Sequence, residues 1–139
     1  MGLTIVDADF LIGFFDGNDA HHLGAKREFS NARHRGDQIA VRASALAEAL
    51  VSPARAGESS VAAIRGEFIE RLPLMVAELD SETAVMAARL RARHGQKLKL
   101  PDALVIATAI RKEASVLVTT DRRWPTKSKL GFEGNLIRL

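Results

Sequence analysis

Four carboxylates stand where apolar segments begin or end: Asp7, Glu48, Asp102 and Asp121. Asp7 directly follows Leu3-Thr4-Ile5-Val6, Asp102 opens an apolar stretch after Pro101, and Asp121 follows Leu117-Val118-Thr119-Thr120. Glu48 is the only charge between Arg42 and Arg55, and it is flanked by alanines. A fifth acid, Asp9, lies two residues after the first. Taken singly, the aspartates are also suited to capping helices or closing turns, and Glu48 to a solvated helix face. Capping and catalysis both stay open for each acid alone. Gathered on one edge of a fold, several carboxylates would raise one another's pKa, and a hard divalent cation relieves that repulsion. Oxygen donors without cysteine favour Mg²⁺ or Mn²⁺ over zinc. Such a cation activates water and stabilises a departing oxyanion on phosphorus.

Other chemistries find little support. The 139-residue chain has no cysteine, which removes disulfides, thiolate metal sites and thiol nucleophiles, and fits a reducing compartment. His21 and His22 are adjacent rather than one helical turn apart, and His34 and His94 are isolated. Ser44 and Thr119-Thr120 have no histidine base nearby in sequence, and Gly13 and Gly17 do not form a phosphate loop. No apolar stretch approaches the roughly 20 residues that span a bilayer, and no basic leader precedes the first apolar run. A soluble cytoplasmic protein is the expectation. The net charge of +3 conceals an asymmetry. Residues 1–88 carry 8 basic and 13 acidic side chains, a balance of −5, whereas residues 89–129 carry 11 basic and 3 acidic, a balance of +8. The basic segment encloses Asp102 and Asp121, the usual electrostatic footprint of a polyanion partner.

The elements that must position these acids follow from pattern. Short β-type runs are expected at 3–6, 39–41, 74–76 and 116–118, with a possible edge strand at 136–139. Helices are expected at 10–15, with Asp9 placed to cap it, and at 21–35, with Leu23, Ala25, Phe29 and Ala32 inward. A third spans 45–51, capped by Ser44 and stopped near Ser52-Pro53; its apolar face is Ala43, Leu46, Ala47, Leu50 and Val51, with Glu48 well off its centre. Others are expected at 58–72, ending before Pro73, at 82–94 with Asp80 or Ser81 as cap and Gly95 beyond its end, and from Pro101 onward. Strands separated by helices imply a mainly parallel sheet of four to five strands in a three-layer α/β/α arrangement, and the length implies one domain over residues 1–139. In such sheets, sites form outside the carboxyl ends of strands, and three of the four acids sit at strand-to-helix or helix-start positions that could share one such edge.

At this point the chain resembles PIN-domain ribonucleases, in particular the VapC-type toxins of bacterial toxin–antitoxin pairs. The matching pieces are Ile5-Val6-Asp7 with Leu11-Ile12, Ser44-Ala45-Leu46-Ala47-Glu48-Ala49-Leu50, Leu100-Pro101-Asp102-Ala103-Leu104-Val105-Ile106-Ala107, and Leu117-Val118-Thr119-Thr120-Asp121. They occur in the right order across essentially the whole chain. The resemblance implies a PIN-like fold, a Mg²⁺ or Mn²⁺ site built from Asp7, Glu48, Asp102 and Asp121, and a supporting role for Thr119. It implies a metal-activated water attacking an RNA phosphodiester without use of the 2′-OH, a homodimer, and a cognate antitoxin that covers the acidic cleft. Asp9 departs from the pattern, since a Ser, Thr or Asn commonly stands there; the extra acid bears on how many metals bind. Beyond the motif, Arg122, Arg123 and Trp124 are candidates to line the RNA path, with Trp124 available for base stacking or for packing on the core edge, and Lys97 and Lys99 are further phosphate contacts.

Two other readings compete. Asp7-Ala8-Asp9 after a strand also looks like the start of haloacid-dehalogenase-type phosphatases, with Asp7 as phosphorylated nucleophile and Asp9 as acid–base. Against this, Phe10-Leu11 lacks the small hydroxyl residue usually found there, and Asp121-Arg122-Arg123 holds one acid rather than a pair. The other is a catalytically inactive PIN-fold binding module, which the full set of four acids disfavours.

Overall fold

In the computed structural model, which describes residues 2–70 and 74–139, a five-stranded sheet lies at the centre, with every pairing parallel. The strands are β1 (Leu3–Val6), β2 (Gln38–Arg42), β3 (Leu74–Ala77), β4 (Val116–Thr119) and β5 (Asn135–Arg138), in the order β3-β2-β1-β4-β5. Between them run α1 (Ala8–Phe15), α2 (His22–His34), α3 (Ala43–Ala56), α4 (Glu58–Ile64, continued by π-type turns over Arg65–Glu70), α5 (Ser81–His94), α6 (Leu100–Arg111) and the short α7 (Lys127–Leu130). The expected α/β architecture is therefore present, the final strand included. The expected end of the fourth helix at Leu72-Pro73 lies outside the described residues.

β1 and β4 read as short apolar runs, interrupted only by the buried Thr4 and Thr119, because a parallel strand is covered on both faces. Ile5, Val6, Leu117 and Val118 are each at most 1% exposed. Chain direction across the sheet reverses at β1: β2 and β3 extend to one side, β4 and β5 to the other. With right-handed crossovers, that reversal sends α1 and α2 to one face and α5 and α6 to the other. The register pairs Val6 with Val118, so the chain leaves β1 and β4 at adjacent carboxyl ends. A crevice at such a reversal is where open α/β sheets hold their ligands.

Several local expectations need correction. Asp7, not Asp9, caps α1: its Oδ1 accepts the Phe10 N–H at 2.8 Å, and Asp9 sits inside the first turn. Leu23 is 80% exposed rather than inward, because it lies on the opposite side of α2 from the buried Ala25 and Ala32. Ser44 caps nothing. β2 passes directly into α3 at Ala43, which places Ser44 within the first turn and turns Ala45 and Ala49 inward. Glu48 then flanks that buried face, about 60° from Ala45. Pro53 does not stop α3 either. Its fixed φ is helical and it removes one N–H, whereas Gly57, at φ 132°, ends the helix with its N–H bonded to the Pro53 carbonyl. As expected, Asp80 caps α5, its Oδ1 accepting the Thr83 N–H at 2.8 Å.

Candidate active site

The site starts with Asp7 because nothing about it is loose. It is 3% exposed, and its second oxygen accepts the Thr119 hydroxyl at 2.5 Å. Thr119 is fully buried and also accepts the Asp121 N–H at 3.0 Å. One hydroxyl thus ties the end of β4 to the end of β1 and fixes where Asp121 emerges. Burial pushes the Asp7 carboxyl up to about 7; the bonds from Thr119 and Phe10 oppose that rise, and the charges of Asp9 and Asp102 add to it.

Asp102 reaches the same place from the first turn of α6, where Pro101 pre-sets the backbone and free amides favour an acid. Burial raises its pKa to about 6, the Asp121 charge adds to the rise, the Trp124 indole opposes it, and Glu48 and Asp9 raise it further. The Trp124 N–H is buried and closes no hydrogen bond of normal geometry, so its effect on Asp102 is that of a nearby dipole. Glu48 projects from α3; burial and the Asp9 charge raise its pKa and Lys99 lowers it. Asp121 goes the other way, its pKa lowered chiefly by Arg123, which grips both of its oxygens. The structure thus brings Asp7, Asp9, Glu48, Asp102 and Asp121 within electrostatic reach of one another beside the carboxyl ends of β1 and β4. Among the described residues, however, no three acids or imidazoles stand ready as a metal cage.

A cleft of about 680 Å³ opens from Asp102 and Asp121, and half of its remaining lining residues are cationic. Lys97, Lys99 and Arg123 line it, as the sequence suggested; so do Arg93 and Lys129, which it did not single out. The signal for those two was the +8 segment itself, which contains both. Arg122 is exposed and lies outside the lining. Trp124 is 4% exposed, so its ring is packed on the core and unavailable for stacking on a base, although it borders the cleft. The phosphatase reading fares worse. A phosphorylated nucleophile has to meet its substrate, and Asp7 is buried with both oxygens engaged.

The donor set suits a hard divalent cation. It is oxygen only, and two of its carboxyls are kept from ionising freely by burial and by one another. A cation would hold those charges together.

The PIN domain family matches residues 4–130 of the sequence. Among solved structures, the chain is similar to Mycobacterium tuberculosis VapC20, described as a sarcin-ricin loop cleaving toxin, at 20% identity and a TM-score of 0.73, over 93% of this chain and 95% of that one. It is similar to a toxin–antitoxin complex from Klebsiella pneumoniae at 22% identity and a TM-score of 0.69, over 88% and 96% of the two chains. VapBC2 from Rickettsia felis, bound to a DNA fragment from its promoter, aligns at 15% identity and a TM-score of 0.68, over 96% of each chain. At these identities the likeness establishes a shared fold. No curated protein matches the sequence.

Proposed function

This chain belongs to the PIN domain family, and from that premise we propose that it is a metal-dependent endoribonuclease and the toxin of a toxin–antitoxin pair. One observation carries the reading: acids from four separate elements lie within electrostatic reach of their neighbours beside the carboxyl ends of β1 and β4, and Asp102 and Asp121 open onto a cleft that also holds five cationic side chains. The family match, and the toxins and toxin–antitoxin complexes among the structural neighbours, support it.

Asp7, Glu48, Asp102 and Asp121 would hold Mg²⁺ or Mn²⁺, with Asp9 as a further acid at the rim. The cation supplies a water acidic enough to attack phosphorus and charge to balance the departing oxygen. The rest falls to the chain. Thr119 keeps Asp7 in one rotamer and sets the direction of Asp121, and the Phe10 N–H holds the other Asp7 oxygen. Lys97, Lys99 and Arg93 neutralise the backbone phosphates on either side of the bond to be cut. The attacking group in this reading is water and not the neighbouring 2′-OH, as the resemblance to PIN-domain ribonucleases implies. Partner proteins follow from the same reading: a cognate antitoxin that covers the acidic cleft, and a second copy of this chain. No described helix is long and apolar enough to cross a membrane, and a cytoplasmic site of action is proposed.

Expression should arrest bacterial growth, and Asp7→Asn or Asp102→Asn should relieve the arrest. Mapping new RNA 5′ ends after brief induction, beside an Asp102→Asn control, would identify the RNA. If both variants stay as toxic as the parent, the metal-nuclease reading is wrong. If the parent is inert while still binding RNA, the catalytically inactive module replaces it.

A further inference from the structure

Arg123 holds Asp121 through three bonds. Its backbone N–H donates to Oδ1 at 2.8 Å, its Nε donates to Oδ1 at 3.1 Å, and a terminal nitrogen donates to Oδ2 at 3.1 Å. The two side-chain bonds form a fork on both carboxylate oxygens, the geometry that makes arginine–carboxylate pairs strong and directional. The two partners differ in exposure. The Asp121 side chain is 14% exposed, whereas that of Arg123 is 74% exposed. The guanidinium therefore reaches in from solvent to a recessed acid, and retracting it buries and strands little. The backbone bond stays when the side chain leaves, so Asp121 keeps its orientation. Arg123 also lines the cationic cleft that contains Lys97 and Lys99.

We propose that Arg123 is a resident counter-ion of Asp121 that exchanges places with the divalent cation and, once displaced, binds a phosphate of the nucleic acid in the cleft. The inference rests on the metal-nuclease reading and assigns a positioning role to a residue outside the four acids. A cation and a guanidinium compete for the same two oxygens of Asp121. The planar fork that fits a carboxylate also fits a phosphate. Metal and nucleic acid then favour each other's binding by the same factor, since each takes one half of the ion pair from the other. Without either, the pair keeps the cleft closer to neutral.

Two measurements on the full chain test this, neither of them catalytic. The first is Mn²⁺ binding to chelator-stripped protein, followed by the electron paramagnetic resonance of the free ion. Arg123→Gln should bind Mn²⁺ about fivefold more tightly than the parent. Arg122→Gln removes the same charge one residue away, outside the cleft lining, and should bind like the parent. Equal tightening by both variants, or none by Arg123→Gln while the parent binds, overturns the counter-ion and leaves the metal site standing. Absence of Mn²⁺ binding by the parent and by Arg123→Gln overturns both. The second is binding of a single-stranded RNA oligonucleotide in chelator, where nothing is cut. Asp121→Asn frees Arg123 and should tighten RNA binding more than Asp102→Asn, which removes a charge but frees no arginine. The surplus should vanish in Asp121→Asn with Arg123→Gln. Equal affinities of the two single variants would overturn the phosphate role.

Discussion

Asp7 does three jobs with one carboxylate: it caps α1, receives the Thr119 hydroxyl, and faces the other acids. The first two hold it in place, while burial above all, with the charges of Asp9 and Asp102 added, makes its charge costly without a cation. A carboxyl whose folded pKa of about 7 stands above its ordinary 3.8 takes up a proton on folding at intermediate pH. Its favourable contribution is complete below the ordinary value and is lost as pH rises through 7. Metal-free protein should therefore lose stability between pH 4 and 7, with Asp102, raised to about 6, acting over the lower part of the same window. Asp7→Asn keeps an acceptor for the Phe10 N–H and has no charge to bury. In chelator at pH 8 it should be more stable than the parent by about 2–4 kcal/mol, a gap that narrows below pH 7 and closes towards pH 4. Urea titrations across that range check it, and a gap independent of pH would exclude the ionisation argument. Thr119→Val removes a donor to Asp7 and an acceptor for the Asp121 N–H. It should cost about 1–3 kcal/mol in the same titration and weaken Mn²⁺ binding, because the acid it directs is no longer held.

At the scale of elements, the alternation of short apolar runs with helical stretches was enough to place every strand, since strands of a parallel sheet are buried on both faces and announce themselves as apolar. What failed were phases and ends. In α3, which starts at Ala43, the buried stripe is Ala45 and Ala49 rather than the leucine-bearing face, which brings Glu48 from the far side to the flank of the buried face. No residue marks that start, because Arg42 occupies the cap position without a side-chain cap. The four residues of α7 are too few to carry a hydrophobic period, so the charge of the +8 segment alone pointed to Lys129, which α7 brings to the cleft. Gly134 shows the reverse case, a residue whose necessity only packing reveals. A Cβ there would stand 2.5 Å from the Ala114 carbonyl oxygen and 2.8 Å from that of Ser115, where the Asn135 N–H enters the β4–β5 ladder at 2.9 Å from the Ser115 oxygen. Gly134→Ala should cost about 1–3 kcal/mol in urea denaturation by prising β5 from β4. Gly17→Ala, with nothing within 4 Å of the added atom, should stay within about 0.5 kcal/mol of the parent.

Over the whole molecule, the acids come from both halves of the chain while the cations come mainly from one. Asp7 and Glu48 lie in the segment with a balance of −5, and Asp102 and Asp121 in the segment with a balance of +8. The fold superposes the two, since β1 pairs directly with β4 and α6 crosses the sheet beside them. A polyanion attracted by the basic half is thereby delivered to acids that would repel it on their own. Position within the cleft, and not basic charge as such, should then decide each residue's share of RNA binding. Lys97→Glu, Lys99→Glu and Arg93→Glu each remove a cation from the cleft wall. Each should weaken binding of single-stranded RNA in chelator and lower the slope of log affinity against log salt by about 1. Arg122→Glu changes the net charge equally from outside the lining and should leave the slope close to that of the parent. Trp124→Ala should act on stability instead, costing about 3–5 kcal/mol, because its ring is packed in the core. A salt series by filter binding separates these cases. Equal slopes for Arg122→Glu and Lys99→Glu would mean that the cleft is not the path of the RNA, and that the +8 segment attracts it only through net charge.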